Sequence, residues 1–496
     1  MTRRDRWVAP TEDGRLLIDP PLDSLHAVLD LNLRRRDHAE LFGIPWRDWR
    51  QQWHASEQGR PVIVTGHQPD WVHPGVWVKH FIACAMARRI GGRSIHVSID
   101  TDAAKRPVVM LPRFADDPTQ IALESAAYDR WDEEVIWADR MIQDSATFKG
   151  FPAEVARVTA NWPFRPILTQ FWERLSAATP LDQPIRLAEA MDAARRSLEV
   201  DWGAGNEELS ARRLWEEKAR EFLTLLLRDL PRFRDVYNGA VRSYRHRHGL
   251  RSRQHPVPEL ADWDGFLETP CWFVRAGRRS RAFLRRVGEH WEGRVGDIVF
   301  PPIRDEGCLI RRIAEAWGFS VYPRALLTTL LLRLFLADIF IHGIGGAKYD
   351  EVTDDIIRGY FGLEPPEYVV VTGTLRLPFP LFRATVEDRR TLSAKLRALR
   401  WHPERFLDHR NDLVEQKERW RSREPLTQAE RRARYRELLG LTEALRPLVE
   451  PQRLAAERQW ERVQRELEAN AILTRRDYAW VLHPADRLRN FLTQLT

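Results

Sequence analysis

Cysteine, lysine and long uncharged apolar runs are all scarce in this 496-residue chain. Three cysteines, Cys84, Cys271 and Cys308, cannot build a disulfide framework, and no CxxC pair exists to hold a structural zinc ion. Read singly, they are small buried hydrophobes. The opening residues, MTRRDRWVAPTEDGR, lack the apolar stretch of a signal peptide. The richest apolar run, residues 325–344, carries Arg333 and Asp338, which suits a buried core better than a membrane span. The expectation is a soluble, reduced, cytoplasmic protein with no membrane partner. Internal repeats, low-complexity tracts and a recognisable nucleophile–base set are also missing.

Of 78 basic residues only seven are lysines, and the arginines that make up the rest face 71 acidic residues for a net charge of +7. Spread over this length, that excess points to small anionic ligands in general rather than to nucleic acid. Three of the seven lysines, Lys79, Lys105 and Lys348, fall in or beside the three loops that carry the candidate chemistry. At roughly 150 residues per domain, the length suggests about three units.

The apolar pattern supplies an α/β order. Leu25, Val28, Leu29 and Leu33 recur at helical spacing. Residues 61–65 (PVIVT) form a β-branched run closed by Gly66, a helix follows over 75–90, and residues 94–99 (SIHVSI) make a second strand. Together these are one βαβ unit, the building block of a parallel sheet. Residues 115–235 read as mostly helical and rich in tryptophan. Residues 271–275 and 282–284, joined by a turn at Gly277, read as a β-hairpin. A second α/β half then follows: helix 305–317, strand 318–322, helix 324–335, strand 337–342, helix 350–361 and strand 367–372. Residues 385–475 are charged and helical. Within them Thr427 and Glu430 have capping-box spacing, and Ala456, Trp460, Val463 and Leu467 form a short a/d-type seam. An antiparallel helical hairpin fits that seam, and the segment from Tyr478 to Leu495 is apolar enough to pack back on the body.

Three strand-end loops concentrate polar chemistry. The first runs from Thr65, Gly66, His67 and Gln68 through His73 and Gly75 into the helix bearing Lys79. A glycine permits a sharp turn at a strand end, and the following helix start offers unpaired N–H groups to a phosphate or carboxylate. The carboxyl ends of parallel strands are also where open α/β sheets bind ligands. The second loop is Asp100, Thr101 and Asp102 with Lys105. Two carboxylates two residues apart suit a ribose, an ammonium group or a hydrated Mg²⁺, and one of them could act as a general base. The third holds His342, Gly343, Gly345, Gly346, Lys348 and Asp350, where glycines let backbone approach a ligand; it follows neither the P-loop nor the dinucleotide pattern. Each loop has a plainer alternative: a structural turn for the first, an Asx-type turn with solvated charges for the second and a flexible connection for the third. The basic segment 241–255, with Arg245, His246, Arg247, His248, Arg251, Arg253 and His255, reads as a solvated charged loop. Closure over an anionic substrate or contact with nucleic acid is its functional alternative. Adjacent arginines disfavour metal binding by His246 and His248, and no metal ligands are assigned.

Taken in order, these features resemble the cysteine-adding enzymes of bacillithiol synthesis (the BshC family). A TG-x-Q loop leads into a lysine-bearing helix, an acidic loop ends the next strand, and a hairpin precedes a glycine-rich strand–helix loop before a helical arm. The resemblance implies a Rossmann-like parallel-sheet core with helical insertions and a C-terminal antiparallel coiled-coil arm. It also implies a ligase that adds cysteine to a glucosaminyl malate, with ATP or ADP and Mg²⁺ as cofactors, and a homodimer formed through the arm. Thr65, Gly66, Gln68 and Lys79 match the family's first loop, whereas His67 and the His73-Pro74-Gly75 stretch depart from it. Asp100 and Asp102 stand at its acidic cluster, and Gly343, Gly345 and Gly346 at its glycine-rich loop without the usual glutamate.

The resulting division is 1–114 and 261–384 as two halves of the core, 115–260 as a mainly helical insertion, 385–475 as the arm and 476–496 as a returning segment. In this scheme His67, His73 and Lys79 stabilise an anionic or phosphorylated group, Asp100 or Asp102 orients or deprotonates an amine, and the glycine-rich loop with Lys348 closes the other wall. Two other functions share these features: a nucleotidyltransferase using the same loops, and a non-catalytic dimeric or RNA-binding scaffold.

Overall fold

The computed structural model describes residues 7–37, 39–54, 59–177, 184–407 and 411–495. Residues 1–6, the start of the N-terminal stretch read above, lie outside it. The chain is a mixed α/β protein built on a six-stranded, largely parallel sheet. In chain order its elements are β1 (Leu16–Asp19), α1 (Leu25–Arg36), β2 (Val62–His67), α2 (Pro74–Arg89), β3 (Arg93–Ser98), β4 (Glu207–Ser210), β5 (Ile339–His342), α3 (Ile344–Ile356) and β6 (Tyr368–Gly373). Their spatial order is β1-β6-β5-β2-β3-β4, with β1 antiparallel and the rest parallel.

The near-continuous apolar runs in β2, β5 and β6 follow from burial on both faces. Val62, Val64, Phe340 and Val370 face one core, which also holds Ala347, Val352 and Ile356 of α3. Ile63, Ile339, Ile341, Val369 and Val371 face a second core with Val78 and Ile82 of α2. The two helices therefore cover opposite faces. Successive strands run outward from β2 to β3 and β4, and the chain then returns to place β5 and β6 on the other side. β2 and β5 thus flank the point where the strand order reverses, and a crevice between their C-terminal ends is the geometric consequence.

A second sheet is antiparallel, ordered 298–304, 290–295, 278–287, 266–275 and 320–323. The expected hairpin is its centre. The strand expected at 318–322 was read as part of the parallel half; as Ser320–Pro323 it pairs antiparallel with Phe266–Arg275 instead. The stretch 115–235 is also less uniformly helical than its pattern suggests. The hairpin of Val108–Phe114 with Ile121–Ala127 extends into it, and β4, with the sequence EELS, completes an edge of the parallel sheet. β4 carries no apolar strand signature because Glu208 is held by Arg195 and His96 at 2.8 and 2.7 Å, so polar pairing replaces apolar burial there.

In the arm, Thr427 and Glu430 form the reciprocal capping box expected of them at the start of helix Gln428–Leu445. Helix Val386–Trp401 packs antiparallel to Glu450–Leu473: Asn470 bonds the Phe382 backbone and Trp460 donates to Ser393 at 3.1 Å. The C-terminal segment returns to α2, where the Trp480 and Trp77 rings lie 4.2 Å apart. No described helix is long and apolar enough to cross a membrane.

Candidate functional site

Where the strand order reverses, a cavity of about 920 Å³ opens between the first turns of α2 and α3. Its polar wall comes from the ends of β2 and β5, and its apolar wall from Trp7, Val8, Ile99, Trp272, Leu332 and Phe340. Gly66, His67, Gln68, His73, Lys79, Asp102, His342, Gly343, Gly345, Gly346 and Lys348 all line it, so the first and third loops, far apart in sequence, meet here.

The third loop is not a loop. α3 begins at Ile344, rather than near residue 350, so the glycines sit in its first turn. Gly343 is the N-cap and offers no side chain, which leaves the amides of Ile344, Gly345 and Gly346 without intrahelical acceptors. These amides and the positive end of the helix dipole suit an anion. Gly346 is also required sterically, because a Cβ there would stand 2.9 Å from His342 Nδ1, whereas Gly343 and Gly345 face open space. On the facing side His73 caps α2 with no side-chain bond, and Pro74 occupies the first turn. Gly75 contacts no ligand space: a Cβ there would overlap the Gly373 carbonyl, so this glycine lets α2 seat on β6.

The imidazoles in the cavity are neutral, which changes the role expected of His67. Burial and Lys79 hold His67 well below its ordinary pKa. Its Nδ1 lies 3.1 Å from the Gln68 carbonyl and must donate to it, leaving Nε2 as an acceptor. His67 Nε2 therefore suits accepting a hydrogen bond from an amine or hydroxyl and orienting it, and not stabilising an oxyanion. His73 is pushed down to about 4 by burial and then by Arg476. His342 is lowered by burial, and its Nε2 donates to Asp350 at 2.8 Å.

The carboxylates separate. Asp102 enters the cavity, yet both its oxygens are occupied, by Gln68 Nε2 and Arg279 Nη1, each at 2.5 Å. It anchors those two groups and is not a free base. Asp100 was expected beside it and is not there. It accepts from Ser210 Oγ at 2.5 Å and Arg212 N at 2.8 Å, faces a different cavity of about 790 Å³ near β4, and is pushed up to about 6 by burial. Asp350 is also withdrawn from any ligand. It is buried under Arg333, Thr329 and His342, and Arg333 with the other two donors holds it ionised. Thr65 donates to the Ile341 carbonyl at 3.3 Å inside the sheet, and Lys105 pairs with Asp70 at 2.8 Å; neither lines the cavity.

The basic segment is largely structural rather than a free loop. Helix Leu230–Arg247 runs into it, Arg245 and Arg247 pair with Glu259 and Asp355, and His248 pairs with Glu351. Sequence reasoning missed Arg476 and Asp477, which the returning C-terminal segment brings to the rim, where Arg476 is fixed by Thr372 Oγ1 at 3.1 Å. It also missed Trp272, whose ring centroid lies 4.7 Å from the Arg279 guanidinium and 4.3 Å from that of Arg324. In a chain so rich in arginine and tryptophan, neither carried a local signal.

Among the described residues no group of three histidine, cysteine or acidic side chains could hold a metal ion. A Mg²⁺ ion in this cleft would depend on phosphate oxygens brought by a nucleotide, and the α3 amides with Lys348 are groups that fit such phosphates. Compared with known protein families and with curated proteins, the chain matches none.

Proposed function

We propose that this protein is a small-molecule ligase or transferase forming a carbon–nitrogen bond in the cleft between β2 and β5. An anionic group of one substrate lies on the first turn of α3 with Lys348 and Arg476. The nitrogen nucleophile of the other donates a hydrogen bond to His67 Nε2, which orients it for attack. One observation carries this reading: two helix starts, the cationic side chains of Lys348 and Arg476 and a neutral imidazole acceptor line a single cavity where the strand order reverses. The same strand order, with helices on both faces, supports a Rossmann-like core. The resemblance to the cysteine-adding enzymes supplies the particular version, with cysteine as donor, an amino-sugar acceptor, ATP or ADP as the nucleotide, and dimerisation through the arm.

Thermal shift against ATP, ADP, CTP, cysteine and pyrophosphate, each with and without Mg²⁺, tests the reading. A ligand at 100 times its Kd adds about 2.7 kcal/mol to stability. A shift with an anion that is lost in Lys348→Ala is the expected result. No shift with any anion, or one unchanged in that variant, overturns it. Product analysis then separates an amide from an adenylylated product with pyrophosphate.

A further inference from the structure

We propose that Lys79 is a nucleophilic amine that condenses with the carbonyl of a small anionic aldehyde or oxo acid held in this cleft, forming an imine. The proposal rests on the reading of the cleft as an anion site and adds an activity to it.

Lys79 projects from the second turn of α2 into the cavity and is only 4% exposed. Its Nζ donates to the Gly66 carbonyl at 3.1 Å, and among the described residues it has no other hydrogen-bond partner and no carboxylate. An ammonium carries three N–H donors, so a charged Lys79 would leave two unmet in a desolvated place. Burial accordingly lowers its pKa to about 8. Lys417 shows the contrast within the same chain: it is equally buried, but Glu404 pairs with it at 2.6 Å. A desolvated, unpaired lysine in a pocket is the usual setting of an imine-forming amine.

The groups that face Lys79 reinforce this. His67 from β2, His73 from the loop before α2 and His342 from β5 are within electrostatic range, and burial keeps all three uncharged. The nearby acids are engaged elsewhere, Asp350 with Arg333 and Asp102 with Arg279. Lys348 and Arg476 line the same cavity, so a protonated Lys79 would add a third positive charge there.

The chemistry balances without a co-reactant. The Nζ lone pair attacks the carbonyl carbon, a C–N bond forms, the C–O π pair moves to oxygen, and one nitrogen proton passes to that oxygen to give a carbinolamine, with His67 Nε2 accepting a hydrogen bond from the nitrogen. The second nitrogen proton then passes to the hydroxyl, which leaves as water as the C=N bond forms. Lysine amine and carbonyl compound thus become imine and water. The anionic end of the substrate lies on the α3 amides and Lys348.

The test uses the full-length protein with glyoxylate and sodium cyanoborohydride at about pH 7.5, followed by peptide mass mapping. An amine with a pKa near 8 has on the order of a hundredfold more free base there than an ordinary lysine. Labelling of Lys79 at least about tenfold above each of the other six lysines is therefore expected, with loss of that label alone in Lys79→Met. Labelling spread over exposed lysines, or confined to Lys348, overturns the proposal. A parallel thermal shift with pyrophosphate separates the two ideas. A shift without Lys79 labelling sinks the imine and leaves the anion cleft; labelling without a shift sinks the anion cleft and leaves a reactive amine.

Discussion

Lys79→Met isolates a cost that the cleft imposes on the fold. The wild-type amine is buried, with a pKa near 8 against the ordinary value of 10.5, because burial removes water and no carboxylate replaces it. That gap corresponds to roughly 3 kcal/mol of destabilisation at pH 7. Between about pH 8 and 10.5 the unfolded chain holds a proton that the folded chain has released, so wild-type stability rises with pH through that window. Methionine keeps the stem and removes the titration. It also leaves the Gly66 carbonyl without its donor, a loss of about 1–3 kcal/mol. The absolute difference at one pH therefore mixes two terms, whereas its change with pH reports only the amine. Urea unfolding of both proteins at pH 7 and pH 9.5 should show the wild type gaining about 2 kcal/mol relative to Lys79→Met. Parallel pH dependence in the two proteins would refute the reasoning, because it would mean that Lys79 titrates alike in the folded and unfolded chains.

Three further outcomes follow from named contacts. Gly75→Ala drives a methyl group into the Gly373 carbonyl, so it should destabilise by about 3 kcal/mol or more in chemical denaturation, whereas alanine at the open Gly345 should be tolerated. Gly345→Val should fold normally yet abolish a pyrophosphate-induced thermal shift, because its side chain covers the first-turn amides of α3; an unchanged shift would remove those amides from the anion site. Asp338→Asn should cost about 3 kcal/mol or more in urea unfolding, because Arg36 at 2.6 Å and Arg50 at 3.0 Å both depend on that carboxylate at the buried N-terminal end of β2.

Local features were legible wherever one stretch of chain carries its own physical reason. The VIV run announced a strand, residues 337–342 announced another, and Thr427 with Glu430 announced a helix start. The polar loop after β2 marked one side of the cleft. The third glycine cluster reads in sequence as a connection that lets backbone approach a ligand, whereas it forms the first turn of a helix. Gly345 and Gly346 are poor helix formers, yet the first turn tolerates them where a bulkier residue would block the cleft or displace His342. β4 carries no legible signal because Glu208 is held by a histidine and an arginine from other elements, and no pattern inside EELS records that.

The two aspartates show where sequence stops. Spacing alone put Asp100 and Asp102 in one acidic site, yet in a turn two residues of separation fix no common face. Ser210 and Arg212, more than a hundred residues later, draw Asp100 out of the cleft, while Gln68 and Arg279 draw Asp102 into it. By itself the sequence determined which strands are apolar, where the helix capped by Thr427 begins and that polar residues follow β2 and β5, because periodicity, caps and turn chemistry act within a few residues. Only the tertiary structure decided that those segments face one another, that Arg476 and Trp272 join them, and that Lys79 is sealed in without a counter-charge. Burial and long-range pairing depend on what the rest of the chain brings to the same place.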